Sequence, residues 1–152
     1  MNDLKDLALI EGVIQKALVC RLALAVEGEP YLAPVCFGYA GGQLFIHSGR
    51  GGKKLEMLAA NPRVCFELET DVAVLPNSSP CRFSMRYRSV IGYGRAFRLH
   101  EEAEQRAGLD AIIRQYGATP GEYGREALHG VEVYAIVIDA MTYKQHHIID
   151  DV

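Results

Sequence analysis

Apolar side chains recur at Leu4, Leu7, Ile14 and Leu18, the spacing of one helical face, with Asp3 placed as an N-cap. An amphipathic helix is expected over residues 3–18. From Cys20 the period drops to two: Leu22, Leu24 and Val26 alternate with Arg21, Ala23 and Ala25, and Glu27-Gly28-Glu29-Pro30 has turn chemistry. A second strand is expected over 31–39, Gly41-Gly42 as a hairpin turn, and a third strand over 43–48, which together make an antiparallel meander. Leu55-Glu56-Met57-Leu58-Ala59-Ala60 favours a short helix that Pro62 stops. Val64, Phe66 and Leu68 then alternate with Cys65, Glu67 and Glu69 as strand four. Residues 75–81 have loop chemistry, and the aromatic, β-branched run 82–99 reads as a fifth strand bent at Gly92 and Gly94. Leu109, Ile112, Ile113 and Tyr116 mark a helical face before a turn-rich stretch at 117–130, and the last strand is expected over 132–143. Six strands with few helices between them fit a mainly β fold with flanking helices, a six-stranded antiparallel barrel rather than an alternating parallel sheet.

Composition narrows this further. The 152 residues are 49% hydrophobic and 23% charged, so one globular domain without repeats or linkers is expected. A chain of this size buries roughly 70% of its unfolded surface and needs no disulfide or structural metal. The four cysteines, Cys20, Cys36, Cys65 and Cys81, form no Cys-x-x-Cys pair and have no histidine at zinc spacing. Cys20, Cys36 and Cys65 lie in apolar runs and are expected as reduced core residues. No run approaches the ~20 apolar residues of a membrane span, and the first residues lack signal-peptide character. A cytoplasmic protein that does not engage membranes is expected.

The net charge of −3 hides an uneven layout. Residues 1–98 carry 12 basic and 9 acidic side chains, a net of +3, whereas residues 99–152 carry 4 and 10, a net of −6. The sharpest local feature is Gly49-Arg50-Gly51-Gly52-Lys53-Lys54. Lys53 and Lys54 sit where a helix should begin, and unpaired backbone N–H groups make that end unfavourable for cations. Gly51 and Gly52 let the amides converge, and a strand, a glycine loop and a helix in that order bind phosphate. It is not a Walker A loop: His47 stands where its first glycine would fall, and Lys54 replaces the Ser/Thr after the lysine. The alternative is a solvated basic turn. If Leu44 and Ile46 face the core, Phe45 and His47 face the other side, so His47 could meet a ligand seated in the following loop. An edge histidine bonded to backbone or water is the alternative there.

Other features carry less. Arg82, Arg86, Arg88, Arg95 and Arg98 interleave with Phe83, Tyr87, Tyr93 and Phe97, a pattern RNA-binding sheets use. Beside an acidic C-terminal third it reads better as a solvated or subunit-contact face, and no nucleic-acid partner is expected. Gly92-Tyr93-Gly94 lacks the setting of a dinucleotide fingerprint. His146-His147 reads as a mobile tail rather than a metal site, and His100 and His129 as surface residues.

Six segments taken together resemble a known family: Cys20-Arg21-Leu22-Ala23, Pro30 to Val35, Leu44 to Ser48, Lys53-Lys54-Leu55, Asn61-Pro62-Arg63-Val64 and Tyr87 to Ala96. Their order and spacing are similar to the pyridoxamine 5'-phosphate oxidase-like flavoproteins, and within them to the nitroimidazole-resistance (Nim) group, over about residues 7–144. The resemblance implies a split β-barrel of FMN-binding type that forms a homodimer with two FMN molecules at the subunit interface. It implies a phosphate-binding role for Lys54, with Lys53, Gly52 and Ser48 in the same segment. It places Pro34, Val35, Cys36 and Phe37 along the isoalloxazine and Ser89-Val90 where a side chain and backbone approach the flavin. His47 matches the histidine that lies near the flavin in Nim-like proteins, which makes it the candidate catalytic residue toward a small, electron-poor substrate. The sequence ends at Asp150-Asp151-Val152 without the Arg- and Pro-containing segment by which true pyridoxamine phosphate oxidases bind substrate, so vitamin B6 oxidation is not expected. A flavin-binding or sensing module without turnover is the alternative reading.

Overall fold

The computed structural model describes residues 4–149. Asp3, the expected helix cap, and the side chain of Leu4 lie outside the described residues. In chain order the elements are α1 (Leu4–Lys16), β1 (Cys20–Val26), β2 (Glu29–Val35), β3 (Gly38–Ala40), β4 (Gln43–Gly49), α2 (Lys53–Ala60), β5 (Arg63–Leu75), a 3-10 turn (Pro80–Arg82), β6 (Ser84–Arg98), α3 (Glu102–Gln115), α4 (Arg125–His129) and β7 (Val131–His146).

All strands join one antiparallel sheet in the order β2-β1-β5-β6-β7-β4-β3. The expected six-stranded split barrel is thereby corrected, among the described residues, to seven strands in one open sheet. The cause lies at Cys36-Phe37. The expected second strand breaks there, its first half (β2) pairs with β1, and its second half (β3) pairs with β4. The two halves are the two edges of the sheet. Val35 and Gly38 are three residues apart, at most about 11 Å, so the sheet must curl until its edges meet at this one corner.

The core fills the inside of the curl. Leu22, Leu24, Leu44, Ile46, Val64, Phe66, Leu68, Val90 and Ile136 are buried there, joined by Leu55, Met57 and Leu58 of α2. Helix α1 contributes Ile10, Val13 and Ile14, and Ala17, whose N–H still bonds the Val13 carbonyl just past the helix end, completes the stripe. That stripe corrects the expected face. Leu18 lies beyond the helix end, where helical periodicity no longer applies, and is 71% exposed, while Leu7 is 38% exposed. A second, smaller core lies on the outer face of β4 and β7, where α3 and α4 pack. Its members include Ala111, Ile112, Leu128, Val133 and Ala135. Two cores on opposite faces explain why Val133 to Ile136 are buried without alternation. The turn-rich region 117–130 proves to contain α4, a single turn held by buried Leu128.

Two glycines are fixed by close approach. A Cβ on Gly92 would lie 2.1 Å from Cζ of Phe66, so the ring of Phe66 occupies that space. A Cβ on Gly38 would lie 2.3 Å from the backbone carbon of Ala111, so β3 packs directly on the α3 backbone. The expected bend near Gly94 is a register shift between Tyr93 and Gly94, and β5 carries another between Thr70 and Ala73.

The cysteines separate by position. Cys20 is buried, and burial first, then the charge of Glu67, pushes its thiol up to about 12. Cys65 is half-buried, but Cys36, expected in the core, is exposed because it lies in the break between β2 and β3. The expected mobile tail at His146 is also corrected. His146 ends β7, its Nδ1 lies 2.8 Å from the Met85 carbonyl oxygen, and its ring stacks on Tyr87 at 5.6 Å. Among the described residues no helix is long and apolar enough to cross a membrane.

Candidate functional site

Strand β4 delivers the candidate histidine. Leu44 and Ile46 are 0% and 1% exposed, so alternation turns Phe45 and His47 to the opposite face, as expected. Phe45 is held under α3, close to Gly108, while His47 emerges into solvent at the strand end. Gly51 and Gly52 follow with φ of 85° and 100°, a left-handed region in which only glycine is unstrained. Helix α2 begins directly after them, with Gly52 in the N-cap position, where it has no side chain to accept a hydrogen bond from the first-turn amides.

Lys53 and Lys54 are therefore the first two residues of a helix whose N-terminus is positive and uncapped. Neither has an ion pair among the described residues. Lys53 places Nζ 5.1 Å from the centre of the Tyr31 ring, which anchors it on β2 by a cation–π contact. Lys54 is half-buried, and desolvation pushes its ammonium pKa below the ordinary value. The His47 imidazole is likewise held below its ordinary value, first by partial desolvation and then by the charge of Lys54. Two cations, a histidine and orphan amides thus share one small region without a carboxylate paired to them. An anion placed there would reverse both depressed pKa values and satisfy the amides.

The corner of the sheet lies beside this region. Gly38 pairs with Phe45, two residues before His47, so the break at Cys36-Phe37 adjoins the end of β4 that carries the histidine. Pro34 and Cys36 face outward and are exposed, whereas Val35 and Phe37 are 8% and 0% exposed and belong to the core. Only the backbone of those two can reach a ligand outside the sheet. The corner is clamped by Tyr116, which the helical pattern marked only as a packing residue. Its Oη accepts the Phe37 N–H at 3.2 Å and donates to the Leu18 carbonyl at 2.8 Å. Its ring meets that of Phe37 edge-on at 6.4 Å. Tyr116 and Tyr31 are the contributors the sequence did not single out. Both act through contacts distant in sequence, and no local spacing announces them.

Ser48 is half-buried on β4 opposite Glu132. The remaining pair, Ser89-Val90, lies far from His47 along the strands. His47 pairs with Val133 and Val90 with Tyr143, ten residues further along β7, on the order of 30 Å at strand rise. Val90 is fully buried, and Ser89 is half-buried on the outward side of β6.

That outward side is apolar. Met85, Ile91, Tyr93 and Phe97 on β6 and Val72 and Val74 on β5 are each 43–59% exposed, and patches of this kind mark contact surfaces. The arginines among them are partly committed to carboxylates of the same chain. Arg88 pairs with Asp71 at 3.5 Å, Arg98 pairs with Glu132, and Arg21 on β1 bridges Glu67 and Glu69 at 3.1 and 3.2 Å.

Comparison with known proteins places these residues in context. The family model described as pyridoxamine 5'-phosphate oxidase matches residues 7–145. A solved structure of a candidate 5-nitroimidazole antibiotic resistance protein from Bacteroides thetaiotaomicron is 32% identical. The match covers 94% of this chain and 84% of that one, with a TM-score of 0.80. The fold is also similar to that of an FAD and heme binding protein from Mycobacterium smegmatis (23% identity, TM-score 0.76, 100% and 75% of the two chains). An FAD-binding protein from Mesorhizobium loti is similar at 21% identity and TM-score 0.67, covering 96% of each chain. Among curated proteins, an uncharacterized protein of Rhizobium meliloti is 28% identical over 58 residues, 38% of either chain.

Proposed function

Since this chain belongs to the pyridoxamine 5'-phosphate oxidase family, we propose that it is an FMN-binding oxidoreductase of the nitroimidazole-resistance type, acting in the cytoplasm as a homodimer. The observation that carries this reading is the pair of unpaired lysines on the glycine-opened N-terminus of α2, beside His47. A phosphate monoester suits that arrangement, because it carries the charge the lysines lack and the oxygens the helix amides need. FMN ends in one such group. The resistance protein of Bacteroides thetaiotaomicron supports the choice of substrate class, and the FAD-binding neighbours support a flavin in general terms.

Bound flavin would supply the two-electron chemistry, and the chain supplies the rest. Lys54 and the amides after Gly52 would hold the phosphate, with Lys53 braced on Tyr31 and Ser48 in the strand that leads into the loop. The outward residues Pro34 and Cys36, and the backbone of Val35 and Phe37, would be the groups that meet the ring system, on a corner that Tyr116 ties together. In the ligand-free site His47 is neutral at pH 7 because its pKa is depressed. A bound phosphate would raise that pKa, so that a larger share of His47 carries the proton it could pass to a substrate beside the flavin. The distance separating Ser89-Val90 from His47 fits a dimer in which that pair completes the site of the other subunit. The apolar outward face of β5 and β6 is the surface suited to that contact.

The test is turnover of a nitroimidazole by purified, FMN-loaded protein supplied with a reductant, beside His47→Ala. Turnover that falls in the variant while FMN stays bound supports the assignment. Full turnover in the variant removes His47 from the mechanism. Flavin bound without turnover by the wild type replaces the enzyme with a binding or sensing module.

A further inference from the structure

Arg50 is the one cation of the glycine-rich segment that the phosphate site does not use, and it points to a second feature. The register Gly49↔Val131 sets the start of the loop against the first residue of β7, and β6 runs alongside through Arg98↔Tyr134. Between this loop, the end of β6, the start of α3 and α4 lies a cavity of about 290 Å³. Three arginines line it although the C-terminal third of the chain is acidic, Arg50, Arg98 and Arg125, together with His100, His129, Glu102 and Glu132.

The two carboxylates on the wall are already engaged. Glu132 holds Arg98, with Nη2 donating to Oε1 at 2.9 Å. Glu102 accepts from Nε and Nη2 of Arg106 at 3.3 and 2.8 Å, and that contact foremost holds its pKa below the ordinary value. Among the described residues Arg50 and Arg125 have no ion pair and the side chains of His100 and His129 no hydrogen bond, while the charge of Arg125 also acts on Glu102. Arg125 and His129 are four apart on α4 and so share a face, which buried Leu128 fixes against the protein. Arg50 and Arg125 face one cavity without a salt bridge of their own, Glu102 being held foremost by Arg106, and the guanidinium fork suits phosphate oxygens. The volume lies at the small end of ligand cavities, which fits a phosphate or pyrophosphate group with little beyond it.

We propose that this cavity is a second phosphate-class anion site, gripped by Arg50 and Arg125 and separate from the one at Lys53 and Lys54. It rests on the flavin reading only in assigning the first phosphate to those lysines. The phosphate could belong to an extended flavin dinucleotide that spans both sites or to an independent phosphorylated molecule.

The test uses full-length protein and the variants Arg125→Gln, Arg50→Gln and Arg125→Lys. FMN-loaded protein is titrated calorimetrically with adenosine 5'-monophosphate and with inorganic pyrophosphate at constant ionic strength, and the affinities of FMN and FAD are compared on flavin-free protein. Loss of one charge-assisted contact should weaken the affected ligand about ten- to a hundredfold in either glutamine variant, with partial recovery in Arg125→Lys. If the free phosphates weaken while FMN affinity stays unchanged, the site serves an independent molecule. If instead FAD binds more tightly than FMN and the variants abolish that difference alone, the site serves the flavin's second phosphate. Variants that bind every probe like wild type overturn the proposal, as do variants that lose FMN itself, since the cavity would then be part of the first site. Protein that takes up no flavin yet binds pyrophosphate through Arg125 would overturn the flavin reading and leave this one standing.

Discussion

Replacing Lys54 with Gln should move stability and ligand affinity in opposite directions. In the ligand-free protein Lys54 is a half-buried cation on the positive end of α2, with an ammonium whose protonation burial disfavours. A cation at a helix N-terminus costs about 0.3–1 kcal/mol. Glutamine keeps most of the side-chain length and a similar helix propensity without the charge. For a chain of this size the gain corresponds to a rise of about 1–4 °C in the melting temperature of the apo protein. With FMN present the sign reverses. A hydrogen bond to a charged group is worth about 1.5–3 kcal/mol, so FMN should bind about 13- to 160-fold more weakly. Lys53 is exposed and braced by Tyr31, so Lys53→Gln should cost only about two- to fivefold, at 0.5–1 kcal/mol. Differential scanning fluorimetry of the apo protein and fluorescence quenching of FMN measure the two quantities. A Lys54→Gln protein that melts no higher than wild type and binds FMN equally well would refute the reasoning.

Three further outcomes follow from the geometry. Because the folded state lowers the pKa of His47 from 6.5, the unfolded chain binds its proton more readily, so stability is full above that pH and lost as pH falls through it toward the folded value. Urea midpoints measured from about pH 8 to 5 should show a shallower loss in His47→Gln than in wild type, and parallel curves would contradict this. Tyr116→Phe leaves the Phe37 N–H without its partner and frees the Leu18 carbonyl, costing about 1–3 kcal/mol. Hydrogen exchange at the Phe37 amide should accelerate, and unchanged exchange would show that Tyr116 does not clamp the corner. Gly38→Ala forces a methyl to within 2.3 Å of the Ala111 backbone. Urea denaturation should show a loss at the upper end of the 1–3 kcal/mol typical of overpacking, and a change below about 0.5 kcal/mol would mean that β3 and α3 are not in backbone contact.

What could be read in advance follows a physical division. The strands announced themselves wherever one face is buried and the other is not, as at Leu22/Leu24 or Val64/Phe66/Leu68. The glycine-cation segment was legible because it sets cations against a helix N-terminus, a conflict within one short stretch. The break at Cys36-Phe37 was not, since both halves of that run continue the same alternation, and only their different partners, β1 and β4, separate them. The outer core under α3 was hidden for a related reason: a run buried on both faces, Val133 to Ile136, loses the period that marks a strand. Leu18 shows the opposite error, an apolar residue counted onto a helix that had already ended. Of the site, His47 and the loop were legible in the local sequence, whereas Tyr31 and Tyr116 depend on contacts 22 and 79 residues away, Lys53 with Tyr31 and Phe37 with Tyr116.

The claim on which everything else depends is that the glycine-opened N-terminus of α2 holds a flavin phosphate. An absorption spectrum of the purified protein, before and after addition of FMN and removal of the excess, tests it most directly. Visible flavin bands approaching one flavin per chain, much reduced in Lys54→Gln at the same FMN concentration, are the expected result. A colourless protein that retains no added FMN, or one whose flavin content ignores Lys54, would contradict the account.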